Sequence, residues 1–250
     1  SPTLTALLAE HRESLRADVI VIADAANPAV DVPALTTSLR GLVDVVVDAA
    51  GRRTHLDRWL SAIGAQHTHV ERAECGLAYF GRHYRLGEGA PGPVTTRVVA
   101  GLAEFTVGIW GGDNATMQLV VAPLVGDRRF LPARDPAVFT AVLRTVPFYA
   151  AWLDALTPIT DVSVMGGLHN TLRRLVVDSR PVATGLLAVG DAVCTTNPTF
   201  GRGIGVALRT VADLVAVLDD HPDDPVAASL AMDRAVLEHV TVADIAEQHL

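Results

Sequence analysis

LLAVGDAVCTTNPTFGRGIGVA, residues 186–207, is the stretch whose reading decides the fold. Leu186-Leu187-Ala188-Val189 is a short apolar run of the kind that makes a buried strand, and Gly190-Asp191 ends it where the backbone must turn. Asn197-Pro198-Thr199 carries the chain through a rigid bend. Gly201-Arg202-Gly203-Ile204-Gly205 then opens a segment with apolar residues at helical spacing, Ile204, Leu208, Val211, Leu214, Val215 and Leu218. A carboxylate therefore sits at a strand's end, ahead of a helix N-terminus wrapped in glycine. Such a terminus offers free N–H groups and positive dipole to an electron-rich ligand, and glycines let that ligand come close.

Strand, Gly-Asp, about six residues, Pro, then Gly-x-Gly opening a long helix resembles the second flavin-binding motif of FAD-dependent monooxygenases of the aromatic hydroxylase type. The resemblance implies that Asp191, beside Gly190, bonds the ribityl chain, and that Pro198, Gly201, Gly203, Ile204 and Gly205 lie against the cofactor. The plain alternative is an ordinary strand-loop-helix with capping glycines. A second stretch, VVVDAAGRRTHLDRWLSAIGA from Val45, is similar to the same family, in which a strand delivers an Asp-Ala-x-Gly-Arg turn beside the FAD. Together the resemblance runs from residue 45 to about 238. What precedes that strand in the family is not found here, because no Gly-x-Gly-x-x-Gly unit exists for the ADP pyrophosphate and no acidic residue on a following strand is placed for its ribose.

Residues 1–47 instead resemble a piece of the catalytic domain of the M20 family of zinc dipeptidases, with Asp24 in the place of a metal-ligand aspartate. One carboxylate cannot hold a catalytic zinc, which needs three or more protein ligands, and no co-ligands are found. No metal is therefore expected, and Asp24 is the weak candidate. Ser1 to Arg16 reads as a helix, Val19 to Ile22 as a buried strand, and Ala34 to Val47 as a second strand interrupted at Arg40-Gly41. With Val45 and Leu186 opening the other parallel candidates, the strand at 19–22 is expected to sit beside one of them. Two unrelated resemblances meeting in one strand suggest a chimera.

Between the two flavin-like stretches, the chain reads as an antiparallel meander: GLAYFGRHYRL alternates, and Val94 to Val99, Glu104 to Trp110 and Ala115 to Val121 follow, with turns at Gly101 and Gly111-Gly112-Asp113-Asn114. In the resembled family such a sheet is the substrate domain. Arg82, Tyr84 and Trp110 are the candidate substrate contacts, an arginine being able to hold a carboxylate in a bidentate pair. Helices are predicted for Thr54 to Ile63 (Leu56, Trp59, Leu60 and Ile63 on one face), Asp135 to Thr145, Pro147 to Leu156 (Phe148, Tyr149, Trp152, Leu156) and Val226 to Val240 (Ala227, Leu230, Ala231, Leu237). Leu172 to Val177 reads as one strand. The His67 and His69 pair lacks further ligands in sequence.

The expected organisation is an α/β protein with α+β elements: an M20-like βα segment at 1–47, a partial FAD-binding nucleotide domain at 48–75 and 170–250, and an antiparallel β-sheet substrate domain at 76–169. The 250 residues are 50% hydrophobic and carry a net charge of -8 without a basic cluster, which argues against a nucleic-acid partner. Two cysteines make no disulfide framework, no apolar run is long enough to span a membrane, and no signal peptide is read, so a cytoplasmic protein is expected. The first residue is not Met, so the sequence is read as an excerpt or processed product. The resemblance implies an oxidoreductase in which NAD(P)H reduces FAD and a flavin hydroperoxide oxygenates an apolar or aromatic small molecule, with no side chain named as catalytic. Alternatives are an inactive chimeric fragment without the ADP-binding half, or an M20 metallopeptidase relic.

Overall fold

A computed structural model of the chain describes residues 19–22, 45–198 and 201–239. The predicted helix at 1–16, the earlier part of the predicted 34–47 strand and Asp24 lie outside the described residues. The chain divides into two compact units, Ser1–Ala73 with His169–Leu250, and Glu74–Leu168.

The first unit is organised by a parallel sheet. β1 (Val19–Ile22) pairs with β2 (Val45–Asp48), Val19 opposite Val45, and β13 (Leu186–Ala188) pairs along the other edge of β2 with Leu187 opposite Val47. All three are unbroken apolar runs or nearly so, the pattern of strands covered on both faces. The strand at 19–22 thus takes the place expected for it. Val47, Leu187 and Ala188 of this sheet share one buried core with Leu214 and Val217 of α4 (Gly203–Asp220) and with Met232 and Val236 of α5 (Pro225–His239). Full burial of a side chain such as Leu214 stabilises by roughly 1.5–3 kcal/mol.

The buried stripe of α4 differs from the sequence expectation. Thr210, Leu214 and Val217 face the core, whereas Ile204 is 77% and Leu208 67% exposed, with Val211 and Val215 also exposed. The helix is apolar on two sides, so periodicity alone could not say which stripe faces the sheet. In α5 the buried positions are Ala228, Ser229, Met232 and Val236, one step round from the predicted set, because the helix starts on Pro225 behind Asp224, whose carboxylate accepts from the N–H groups of Val226 and Ala227.

Shorter pieces complete this unit. α1 (Leu56–Ala62) buries Leu56 and Leu60 against Val182, while Ile63 lies beyond its end and is exposed. β3 (His69–Glu74) and β14 (Cys194–Thr195) flank β10 (His169–Arg174), and Arg174 forks onto Asp233 of α5 through two hydrogen bonds of 3.1 and 2.5 Å. The predicted single strand 172–177 breaks at Leu175. Its second half, β11 (Val176–Val177), pairs back with β12 (Arg180–Pro181) across Asp178 and Ser179, both at positive φ as a tight hairpin turn requires. His67 is engaged by Ser61, 2.6 Å from its Nε2.

The second unit is a six-stranded antiparallel sheet. Its order is β5 (Arg97–Gly101), β6 (Phe105–Gly111), β7 (Thr116–Pro123), β4 (Tyr79–Leu86) and β8 (Leu156–Pro158), with β9 (Ser163–Met165) also pairing with β4. Phe80, Tyr84, Val107, Ile109, Met117, Leu119 and Val121 line one face, as period-2 alternation demands, and pack under α2 (Pro136–Arg144) and α3 (Pro147–Leu153). Asp135 caps α2 by accepting from the N–H groups of Ala137 and Val138. The Tyr149 hydroxyl donates to the carbonyls of Val98 and Val107, fastening α3 to the sheet, and burial pushes its phenol up to about 12. α3 ends sooner than predicted, at Leu153, and Leu156 opens β8 because Asp154-Ala155 turn the chain into sheet pairing; Phe148 on the same helix is exposed.

Candidate functional site

In open parallel sheets, ligands bind outside the carboxyl ends of the strands, where loops part and helices begin. β2 and β13 run side by side in the same direction, so their exits lie together. From β2 the chain passes Ala49-Ala50 to Gly51, at φ +73°, and into a 3-10 turn over Gly51–Arg53. From β13 it passes Val189 to Gly190, at φ +60°, and into the Gly190–Ala192 turn. Both glycines adopt a backbone conformation that other residues rarely reach, and that conformation turns the two loops toward each other.

Asp191 is the point on which these loops converge. A side-chain carbon placed on Gly51 would lie 4.0 Å from the Asp191 Cβ, and one on Gly203, the first residue of α4, would lie 3.9 Å from its Oδ1. Burial pushes the Asp191 carboxyl above its ordinary value, and the charge of Arg52 opposes that shift. Among the described residues its carboxylate makes no hydrogen bond; the bond at this residue goes to its main chain, where the Asp191 carbonyl accepts from the Thr195 hydroxyl at 3.1 Å. Among the described residues α4 opens without a side-chain cap, which leaves its first N–H groups and the positive end of its dipole beside Asp191.

Supporting bonds hold these turns. The Gly190 N–H donates to the Thr210 hydroxyl at 2.9 Å, which itself donates to the Ala207 carbonyl, so the β13 exit is tied to the second turn of α4. Asp48, last residue of β2 and 1% exposed, accepts from the Ala50 N–H at 2.9 Å and from the Thr54 hydroxyl at 2.6 Å. Thr54 in turn accepts from the Leu56 N–H at the head of α1. Burial raises the Asp48 carboxyl, against the opposing pull of those hydrogen bonds and of Arg173.

Of the cofactor contacts predicted from sequence, Gly190, Asp191 and Gly203 are brought together. Pro198 and Gly201 belong to the loop before α4, where the Gly201 N–H donates to the Pro198 carbonyl at 3.1 Å, and Gly201 has φ +64°. Ile204 and Gly205 are exposed on the first turn of the helix. Gly51, Arg52 and Thr210 are additions of the structure. Arg52 stood in the quoted Asp-Ala-x-Gly-Arg turn, whereas Thr210 carried no signal, being one hydroxyl within a helical run.

The three candidate substrate contacts of the second unit are not brought together. Tyr84 pairs with Met117 and Arg82 with Leu119, on the face covered by α2 and α3, whereas Trp110 pairs with Gln118 on the opposite face. Tyr84 is in the core with its phenol pushed up by burial, and the Arg82 guanidinium lies 5.7 Å over its ring while its Nε donates to the Thr160 carbonyl. Even-numbered residues of β4 and β6 face opposite sides because the β6–β7–β4 register pairs Ile109, not Trp110, across from Arg82. The Trp110 indole lies over Gly108, its Cη2 2.0 Å from where a side chain there would begin.

Among the described residues no group of three or more His, Cys, Asp or Glu is placed to hold a metal ion, and no helix is long and apolar enough to cross a membrane. Cys75 and Cys194 are both buried, and neither is joined in a disulfide.

No family model matches the chain. The protein Rv3254 of Mycobacterium tuberculosis is 29% identical over 164 residues, 64% of this chain and 34% of that protein. Among solved structures, pqsL, a probable FAD-dependent monooxygenase from Pseudomonas aeruginosa, superposes with a TM-score of 0.58 at 21% identity, over 82% of this chain and 54% of that one. The flavin-dependent halogenase CmlS does so with a TM-score of 0.56 at 17% identity, over 78% of this chain and 34% of that one. The chain spans between about a third and about half of the length of these proteins. At these identities it is the fold that is shared: a mixed α/β arrangement with an antiparallel sheet, as in FAD-dependent monooxygenases and halogenases.

Proposed function

We propose that the chain carries the flavin-facing part of an FAD-dependent oxidoreductase of monooxygenase type, acting on an apolar or aromatic small molecule with NAD(P)H as reductant, in a cytoplasmic setting. The observation that carries this reading is the convergence of the Gly51 turn, the Gly190 turn and the uncapped start of α4 on Asp191. The fit to a flavin is chemical. A carboxylate without a hydrogen-bond partner among the described residues suits the hydroxyls of a ribityl chain, and free N–H groups with the positive end of a helix suit an electron-rich ring edge. When bound, the flavin supplies the redox chemistry. The chain's own residues orient it: Thr210 holds the Gly190 turn, and Asp48 with Thr54 holds the turn that carries Gly51 and Arg52. Trp110, on the sheet face away from α2 and α3, is the proposed substrate contact, with Arg82 and Tyr84 shaping the sheet from its other side.

FAD titration into the protein, read by the shift of the flavin absorbance band, tests this reading. Asp191→Ala should weaken binding about tenfold or more, the worth of one or two hydrogen bonds to a charged group. Wild type without binding, or a variant that binds unchanged, would sink it. One observation favours a second reading, an inactive chimera: β1 comes from the segment that resembles the M20 peptidases and occupies the free edge of β2. Zinc-dependent dipeptidase activity lost on Asp24→Ala would return function to that segment.

A further inference from the structure

We infer, on the flavin reading above, that this site recognises the ring and ribityl half of the cofactor and has, among the described residues, no built cradle for the adenylyl half, so that riboflavin and FMN serve as ligands about as well as FAD. β2 has two edges, and both are filled, by β13 on one side and β1 on the other. The parallel neighbour of β2 opposite β13 is therefore β1, and a pyrophosphate cradle in this sheet would have to form where the chain leaves β1. Such a cradle needs glycines at that exit, so that main-chain N–H groups can close on the phosphates without a Cβ between them. β1 ends at Ile22, and the chain continues Ala23-Asp24-Ala25-Ala26-Asn27-Pro28; the first glycine anywhere in the sequence is Gly41. The same segment carries Asp24, a charge of the same sign as a pyrophosphate, and Pro28, which has no N–H to offer.

The exits of the other two strands are built in the opposite way, with Gly51 and Gly190 at positive φ and Asp191 between them. No other long helix of this unit offers a substitute among the described residues. The start of α5 is closed by the Asp224 carboxylate, which already accepts from the N–H groups of Val226 and Ala227 and repels a second anion. Recognition is thus one-sided: the half of a dinucleotide flavin that meets β2, β13 and α4 gains contacts, and the adenylyl half gains none from the described residues.

Parallel calorimetric titrations of the full chain with riboflavin, FMN and FAD, each repeated in the presence of excess ADP, decide the matter. Dissociation constants within about tenfold of one another, undisturbed by ADP, are the expected result. Asp191→Asn should weaken all three by the same factor. FAD binding about a hundredfold more tightly than riboflavin, ADP displacing riboflavin, or a variant that loses FAD alone would overturn the inference by revealing an adenylate site. Absence of binding by all three flavins would overturn it too, and would sink the oxidoreductase reading with it, whereas a strong preference for FAD would leave that reading standing.

Discussion

The backbone N–H of Gly190 donates to the Thr210 hydroxyl at 2.9 Å, joining the turn that delivers Asp191 to the helix whose N-terminus Asp191 faces. Thr210 is 2% exposed, so no water can take the place of its hydroxyl. Thr210→Val keeps the branched shape and strands the Gly190 N–H, which should destabilise the protein by about 1–3 kcal/mol. Flavin affinity should fall as well, although Thr210 touches no ligand, because the Asp191 turn loses its tether. Unfolding and titration curves that both superpose on wild type would show that the bond orders nothing.

Asp57 and Arg173 form a polar joint within the first unit. The Asp57 carboxylate accepts from the Arg173 guanidinium at 2.7 Å and from the N–H and hydroxyl of Thr68 at 2.9 and 2.8 Å. Burial alone would raise this carboxyl, but the bonds from Thr68 and Arg173 outweigh it and hold it below its ordinary 3.8. The stability it contributes is therefore present above pH 3.8 and is lost as pH falls through the lowered folded value. Arg173→Met should cost about 1.5–3 kcal/mol at neutral pH, and less in acid. A loss that stayed constant down to low pH would contradict the assignment.

Asp48 should behave with the opposite sign. Its folded carboxyl is raised above 3.8 by burial, so the stability it contributes is full below 3.8 and is lost as pH rises through the folded value. Asp48→Asn can keep both bonds, accepting from Ala50 and donating to Thr54, without a buried charge. The variant should gain on wild type as pH climbs from 3.8 through the raised folded value, as followed by urea unfolding at a series of pH values. A variant that loses ground over that window would show that the ionised form is the one the fold favours.

Two glycines of β6 should respond very differently to alanine. At Gly111 the new carbon would lie 1.5 Å from the Val94 carbonyl oxygen, a backbone atom that cannot step aside, and destabilisation of about 3 kcal/mol or more is expected. At Gly108 it would displace the Trp110 indole, a side chain free to swing, at a cost of about 1–3 kcal/mol. The Gly108→Ala protein should remain folded with an altered near-ultraviolet dichroism from Trp110, and an unaltered spectrum would count against the packing described.

Ala115 sits at φ +55° in the turn between β6 and β7, strained for a residue with a Cβ. Ala115→Gly should raise stability by up to about 1 kcal/mol, the relief of strain being partly offset by greater freedom of the unfolded chain. A lower melting temperature for the variant would show that the turn is not strained.

By itself the sequence determined the elements whose signals are local. VVVD and LLAV read as buried strands at these lengths, Asp135-Pro136 announces a helix by capping chemistry, and Gly190-Asp191 marks a strand exit carrying a carboxylate. The alternation of β4, β6 and β7 likewise required an antiparallel sheet. Only the tertiary structure decided matters of facing and partnership. Ile204 and Leu208 have the same periodicity as Leu214, yet which stripe of α4 is buried depends on the sheet it lies against. Arg82 and Trp110 are both on strands of one sheet, and a register set by pairing put them on opposite sides. Thr210 became part of the site because two turns of helix place its hydroxyl under Gly190, a distance in space that no spacing in the sequence expresses. Burial, register and long-range hydrogen bonds are properties of pairs of segments, and one chain read in order contains only the segments.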